Sequence, residues 1–311
     1  MSDHPVPSAR ARALVAGAYD THVHVGPDVM ERRIDDLDLA RRCVEVGLAG
    51  FVLKSHYVAT AERAAVVRKV VPEVDVLGAV TLNGAMGGMN PAAVEVAGRQ
   101  GARVVWMPTV DSGNQRRSTA TDLPGSKPAM WGALQADLHA QGIVPDVVEV
   151  VDDEGRVLEQ VRKVLRVIAR HDMVLATGHL NGAEILAVVR AAKEEGVRRV
   201  VVTHPEFTSQ RLPVEQQREL AEAGALLERC FTTPHTGKVA WADLIANIRA
   251  VGPEHSILSS DLGQPFNPPV EDGLALFADH LLEAGFTEQE IQTMAVVNSR
   301  FLAAAKAEVI A

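Results

Sequence analysis

An eightfold alternation of short apolar runs with segments of helical periodicity predicts an α/β fold, a (β/α)8 TIM barrel with eight parallel strands. Three observations carry that expectation. First, apolar runs begin near Ala18 (AYDTHVHV), Gly50 (GFVLKSH), Asp75 (DVLGAVTL), Ala102 (ARVVWMPT), Met173 (MVLATGH), Arg199 (RVVVTHPEF), Ala225 (ALLERCFTT) and Ser256 (SILSSD). Each is short and β-branched or Leu-rich, which suits a strand buried on both faces of a parallel sheet. Second, helical periodicity runs through 35–46, 59–71, 182–195 and 214–223. Several such segments stop at a glycine before the next strand, at Gly47, Gly101, Gly196 and Gly224, where a positive φ ends a helix. Third, most runs start about 25 to 35 residues apart, the length of one βα unit.

The spacing breaks once, between the fourth and fifth runs. The extra stretch, about 110–158, contains DSGNQRRSTATDLPGSKP and then VVEVVDDEGRVLEQ. The latter reads as two short strands around an Asp-Glu-Gly turn. The stretch is too polar to build a core of its own. It is expected as a loop and hairpin insertion capping the active-site face of a single domain spanning 1–311. The C-terminal segment 274–306 reads as helical, with Thr287 as N-cap and Glu290 completing a capping box. There is no solenoid repeat and no low-complexity tract.

Composition narrows the function classes. Hydrophobic residues make up 47% and charged residues 23%, ordinary for a globular chain with a sizeable core. Aromatics are only 4%, so that core must be mostly Val, Leu, Ile and Ala. A formal net charge of −9 disfavours nucleic acid, which needs a basic surface. The two cysteines, Cys43 and Cys230, form no CxxC pair, which removes a zinc finger or a thioredoxin-like motif. The N-terminus has no apolar stretch of signal-peptide length, and no apolar run is long enough to span a bilayer. The expectation is a cytoplasmic protein acting on a small molecule, with neither membrane nor nucleic acid as partner. Barrels of this kind often form closed homo-oligomers, and no interface is legible in one sequence.

The chemistry lies at the ends of the runs. The first ends in Asp20-Thr21-His22-Val23-His24. Residues i and i+2 of a strand share a side, so His22 and His24 can share a metal, and Asp20 has the parity of a supporting partner. The fifth run ends in His179, the sixth in His204 and the eighth in Asp261. All strand C-termini of such a barrel converge on one face. Four histidines and one carboxylate arriving there form a donor set for zinc or a related divalent ion.

At this point the sequence resembles the amidohydrolase superfamily, from Tyr19 to about Leu302. The resemblance rests on the HxH of the first strand, single histidines on strands five and six, and the aspartate on strand eight. The segment GFTEQEIQTMAVVNSRFL also looks like the helix that follows strand eight in many members. The resemblance implies that His22, His24 and Asp261 hold the more buried metal. His179 and His204 then hold a second one, or one binds metal while the other orients substrate. Asp261 is implied as the proton acceptor from the attacking water. The implied cofactor is Zn2+, one ion or two, with Mn2+ or Fe2+ as substitutes. There is one departure: binuclear members often carry a carboxylated Lys, or a Glu, at the end of strand four, and here that strand ends in Trp106-Met107-Pro108-Thr109.

Lys54, at the end of the second run, offers a replacement. A neutral lysine amine that captures CO2 becomes an anionic carbamate able to bridge two cations. The plainer readings of Lys54 are a contact to an anionic substrate or an ordinary salt bridge. His56 has the same parity and reads as a ligand, a substrate contact or, most plainly, a hydrogen-bonded rim residue. Weaker substrate-binding candidates are Glu228, Arg229 and His235 on or after the seventh run. Arg116, Arg117 and Lys127 in the long loop are others, able to clamp a carboxylate or phosphate. His139, His171, His255 and His280 fall on helices or helix-to-strand turns and carry no expected role. The glycine-rich 84–90 lacks a GxGxxG or P-loop frame and reads as a rim loop.

The function these residues imply is metal-assisted hydrolysis of a small-molecule amide, cyclic amide, lactone or ester, with Asp261 and His204 as the catalytic pair. The alternatives are a mononuclear zinc decarboxylase of the same superfamily, a metal-free lactonase, and a phosphoesterase. A phosphoesterase of the polymerase-and-histidinol-phosphatase type uses more ligands and seven strands. A barrel serving only as a binding protein fits poorly with ligands on four strands.

Overall fold

The computed structural model describes residues 4–304. Eight parallel strands follow in sequence order around one sheet: β1 (Tyr19–Val23), β2 (Gly50–Leu53), β3 (Asp75–Thr81), β4 (Ala102–Trp106), β5 (Val174–Ala176), β6 (Arg199–Val202), β7 (Leu226–Cys230) and β8 (Ser256–Ser259). Just beyond the ends of β1 and β8 the barrel closes. Asp261 N donates to His22 O and His24 N to Leu262 O, each at 2.8 Å. This is the (β/α)8 barrel the alternation predicts.

Alternation along each strand divides its side chains between two cores. Val52, Leu77, Ala79, Val104, Trp106, Val174, Ala176, Val201 and Ile257 fill the barrel, with Leu302 and Ala303 of the last helix packed against them. Their neighbours, such as Phe51, Leu53, Val105, Leu175 and Leu227, pack outward with the helices. Inside the barrel the largest of these aliphatic-rich side chains is Trp106, which is fully buried.

The helices over Asp36–Val46, Ala61–Val70, Gly182–Glu194 and Val214–Glu222 lie where periodicity puts them. Their stops are as expected: Gly47, Gly101, Gly196 and Gly224 all have φ between 78° and 93°. Thr287 and Glu290 form the reciprocal capping box. The C-terminal segment is helical as expected, with Gly273–Glu283 ahead of the Thr287 cap. A π-helical turn at Thr293–Val297 separates Glu288–Gln292 from Asn298–Ala303. Residues 305 and 306 of the expected helical segment lie outside the described residues. No helix is long and apolar enough to cross a membrane among the described residues.

The insertion differs from expectation. The two short strands around Asp-Glu-Gly reduce to one antiparallel bridge, Val151 to Val157. Asp152 takes over this turn: its carboxylate accepts the amides of Glu154 (3.1 Å) and Arg156 (2.9 Å). The chain then passes directly into the helix Glu159–Arg170, whose Val161, Val164, Leu165 and Ile168 are buried. Unanticipated helices form at Gly113–Arg117 and Trp131–Ala140. The second buries none of its residues, so no apolar stripe announces it.

Candidate metal centre and cleft

The strand ends bring the predicted residues together. His24, Lys54, His56, His179, His204 and Asp261 line a cleft at the C-terminal face of the barrel. His22 lies buried beneath them, with its ring 5.3 Å from that of His24 and 6.0 Å from that of His204. His179 and His204 are 5.0 Å apart by ring centroids. The backbone is strained to achieve this: His204 (φ 23°) and Asp261 (φ 53°) both have positive φ, costly for residues with a Cβ and typical of functional sites. Gly178 (φ 59°) precedes His179 because a Cβ there would strike the carbonyls of Met107 and Pro108.

Hydrogen bonding sets which nitrogen of each ring faces the cleft. His22 Nδ1 lies 3.2 Å from both oxygens of Glu228, so Nδ1–H donates to the carboxylate and Nε2 keeps its lone pair. His204 Nδ1 is 2.7 Å from Gln210 Oε1. Gln210 Nε2 donates to the carbonyls of Gly178 and Thr203, which fixes Oε1 as the acceptor and leaves His204 Nε2 free. His179 Nδ1 faces Gln115 Oε1 at 3.1 Å, an oxygen that also accepts from Ser209 Oγ. Three rings thus have a hydrogen-bonded Nδ1 and a bare Nε2.

The lone pair of His22 faces the carboxylate of Asp261. Its Oδ1 is 3.2 Å from Nε2 of both His22 and His24. The nitrogen of His22 has no proton to offer, because its ring proton is spent on Glu228. Lone pairs facing a carboxylate oxygen repel unless a cation lies among them. A donor set of two imidazoles and one carboxylate, mutually close, fits a zinc-type ion. Lys54 Nζ takes part of that role, 2.8 Å from His22 Nε2 and 5.2 Å over the Trp106 ring.

Burial shapes the charges. It lowers the pKa of His22 to about 3, with Lys54 adding to the effect, and of His204 to about 4. His24, His56 and His179 are pushed well below the usual value, again chiefly by burial. Neutral imidazoles are the state that binds metal. Burial likewise lowers the Lys54 pKa and raises that of Glu228.

Other predicted residues lie elsewhere. Asp20 does not support an imidazole: the β1–β2 register slips between Asp20 and Val23, and its Oδ1 accepts the Ser260 and His22 amides. Glu228 sits behind His22 and does not line the cleft. Arg116 pairs with Asp111 (3.3 Å) and His139 (3.0 Å), and Arg117 with Glu149, both outside the lining. Arg229 turns outward to Glu206 and Gln217. His235 stacks on Phe231 at 5.0 Å, also off the lining. Lys127 does line the cleft, its Nζ over the Phe266 ring at 4.9 Å. His139, His171, His255 and His280 lie away from it.

The cleft also holds residues the sequence did not single out. Arg32 lines it while paired to Asp28 at 2.6 Å. Lys238 lines it while paired to Asp122. Trp131 and Phe207 form an aromatic edge, with rings 6.2 and 5.4 Å from His179. The supporting Gln115, Gln210, Asn83 and Thr109 carry no sequence signal: Gln115 sits on the short helix Gly113–Arg117, the other three on loops, and their partners are remote or set by a turn.

Solved structures with this fold are numerous, all at low identity among those compared. An amidohydrolase from Pseudomonas aeruginosa superposes with TM-score 0.57 at 10% identity, over 95% of this chain and 98% of the other. A phosphotriesterase homology protein from Escherichia coli, complexed with phosphate in its active site, gives 0.58 at 14%, over 92% and 99%. A protein assigned as a 2-pyrone-4,6-dicarboxylic acid hydrolase from Pseudomonas putida gives 0.55 at 18%, over 92% and 97%. At such identities the likeness establishes the fold. No curated protein matches the sequence. A family model described as a family of unknown function, DUF6282, matches residues 17–228, well over half of the chain. The chain therefore belongs to the DUF6282 family.

Proposed function

We propose that the protein is a metal-dependent hydrolase of the amidohydrolase superfamily, cleaving an amide, cyclic amide, lactone or ester bond in a small molecule. The observation that carries this reading is the convergence of His22 Nε2, His24 Nε2 and Asp261 Oδ1, two imidazole nitrogens and a carboxylate oxygen close enough to share one divalent cation. Those three would hold the ion, with His179 and His204 supplying a second position or orienting substrate. A bound zinc, manganese or ferrous ion would supply Lewis acidity and make hydroxide available near neutral pH.

The chain's own groups then act as follows. Glu228 holds His22 in the tautomer that binds metal. The Asp261 carboxylate, through the oxygen that does not face the two imidazoles, takes the proton of the attacking water and returns it to the leaving group. Gln210 holds the ring of His204 towards the reacting bond. Lys54 would act as a carbamate: its ammonium gives up one proton, the amine nitrogen bonds to the carbon of CO2 and the N–H proton leaves to solvent, which would supply an anionic oxygen ligand to the metal. The ammonium form of Lys54 would collide with a cation at His22 Nε2, 2.8 Å away.

The test is elemental analysis of protein purified without chelator, beside Lys54→Ala, followed by a screen of amides, lactones, esters and phosphoesters. About two ions per chain, falling to one or fewer in the variant, supports the carbamate-bridged hydrolase. About one ion, unchanged in the variant, removes the carbamate and favours mononuclear hydrolysis or decarboxylation. No ion at all overturns the reading.

A further inference from the structure

His56 has the opposite polarity to the other rings, and Asn83 is the reason. Asn83, just after β3, is fully buried. Its Oδ1 accepts the amides of Thr109 (2.8 Å) and Asp111 (3.3 Å), so the orientation of its amide is fixed and Nδ2 must donate. It donates to the His56 carbonyl (2.9 Å) and to Thr109 Oγ1 (2.7 Å). Thr109 Oγ1 therefore accepts from Asn83 and still has its own proton to place. His56 Nδ1 lies 2.8 Å away and is the acceptor within reach among the described residues. A hydroxyl both accepts and donates, so Nδ1 accepts and the proton of the neutral ring sits on Nε2.

That nitrogen is open. No hydrogen-bond partner faces His56 Nε2 among the described residues, and the ring lines the cleft, stacked 5.0 Å from His24 and 6.3 Å from His179. A protonated nitrogen is no metal ligand. It is a donor aimed at whatever occupies the cleft, with Lys54 and Arg32 among the lining residues and an aromatic edge of Trp131 and Phe207.

We propose that His56 is a substrate-contact residue whose Nε2–H donates to a carbonyl or carboxylate oxygen of the substrate, and that Asn83 and Thr109 are positioning residues that fix its tautomer. This deepens the hydrolase reading and rests on it for the identity of the bond cleaved. The substrate class it names has an acceptor oxygen beside a flat or apolar body.

The experiment is NMR of histidine-labelled protein loaded with an NMR-active cadmium isotope, with benzoate as the probe. The expected result is a proton on Nε2 of His56 and no cadmium coupling to that nitrogen, with coupling to Nε2 of His22 and His24. Thr109→Val should let the proton redistribute to Nδ1, and Thr109→Ser should restore the wild-type pattern. His56→Phe should weaken benzoate about tenfold, the loss of one hydrogen bond to a charged group. A proton on Nδ1 in the wild type, cadmium coupling at His56, failure of the wild type to bind benzoate, or equal binding by His56→Phe would each overturn the proposal. If cadmium couples to no histidine, the metal reading fails, while the tautomer of His56 is still read directly.

Discussion

Asp261 and Glu228 are two carboxylates within one site whose surroundings give them different work. Asp261 contacts two imidazoles from the open cleft, whereas Glu228 is sealed behind His22 and accepts its Nδ1 proton. Replacing Asp261 by Asn should keep the fold and much of the metal while lowering kcat by about a hundredfold or more, the usual worth of a positioned proton acceptor. Steady-state rates on a screened substrate, with metal content measured alongside, check this, and full activity would remove the proton-transfer role. Glu228→Gln should act through affinity instead. Its amide oxygen still accepts from His22 but without charge, so metal should bind about tenfold to a hundredfold more weakly. A chelator competition titration reads that change. The ligand candidates were legible because each is a special residue at the end of a recognisable apolar run. The sense of Glu228 was not: nothing in a sequence says that one strand's carboxylate stands behind another strand's imidazole.

Between residue and fold, the rim is built from short elements that hold charge in pairs. Arg32 with Asp28, and Lys238 with Asp122, bring cations to the cleft already neutralised. The four-residue helix Thr232–His235 presents His235 to the Phe231 ring. Burial, with Lys127 next, lowers its pKa to about 4. The sign follows from linkage: the unfolded chain binds this proton near pH 6.5 and the folded chain does not, so stability falls as pH drops from about 6.5 towards 4. His235→Phe should flatten that segment of the stability profile by on the order of 1 kcal/mol, measured by urea unfolding across the range. An unchanged slope would assign the acid sensitivity elsewhere. Long elements with a buried stripe were readable in advance, and those without one were not. Gly182–Glu194 buries Ile185, Val188, Val189 and Ala192 along its face, whereas Trp131–Ala140 buries none and earned no sequence signal. The two short strands expected within 147–160 shrink to the bridge of Val151 with Val157, where the Asp152 side chain takes up the turn amides.

At the scale of the whole barrel, the proposed ion sits where the ring of strands closes. β1 and β8 are the ends of the sheet order. Beyond their last strand residues they are joined by Asp261 N to His22 O and His24 N to Leu262 O. The Ser260 amide adds a bond to the Asp20 carboxylate. His22 and His24 stand on one side of this seam and Asp261 on the other, so an ion bound to all three is a clamp across it. An ion that binds only the folded chain stabilises it by roughly 3–4 kcal/mol at a few hundred to a thousand times its dissociation constant. For a chain of this size that is roughly 5–10 °C in melting temperature. Stripping the metal should therefore lower the Tm by about that much. The loss should also be local: amide hydrogen exchange should quicken along β1 and β8, and change least at β4 and β5, which lie across the barrel. If the metal-free protein melts at the same temperature, or exchange quickens evenly around the barrel, the ion does not clamp the seam and the ligands cannot be His22, His24 and Asp261 together.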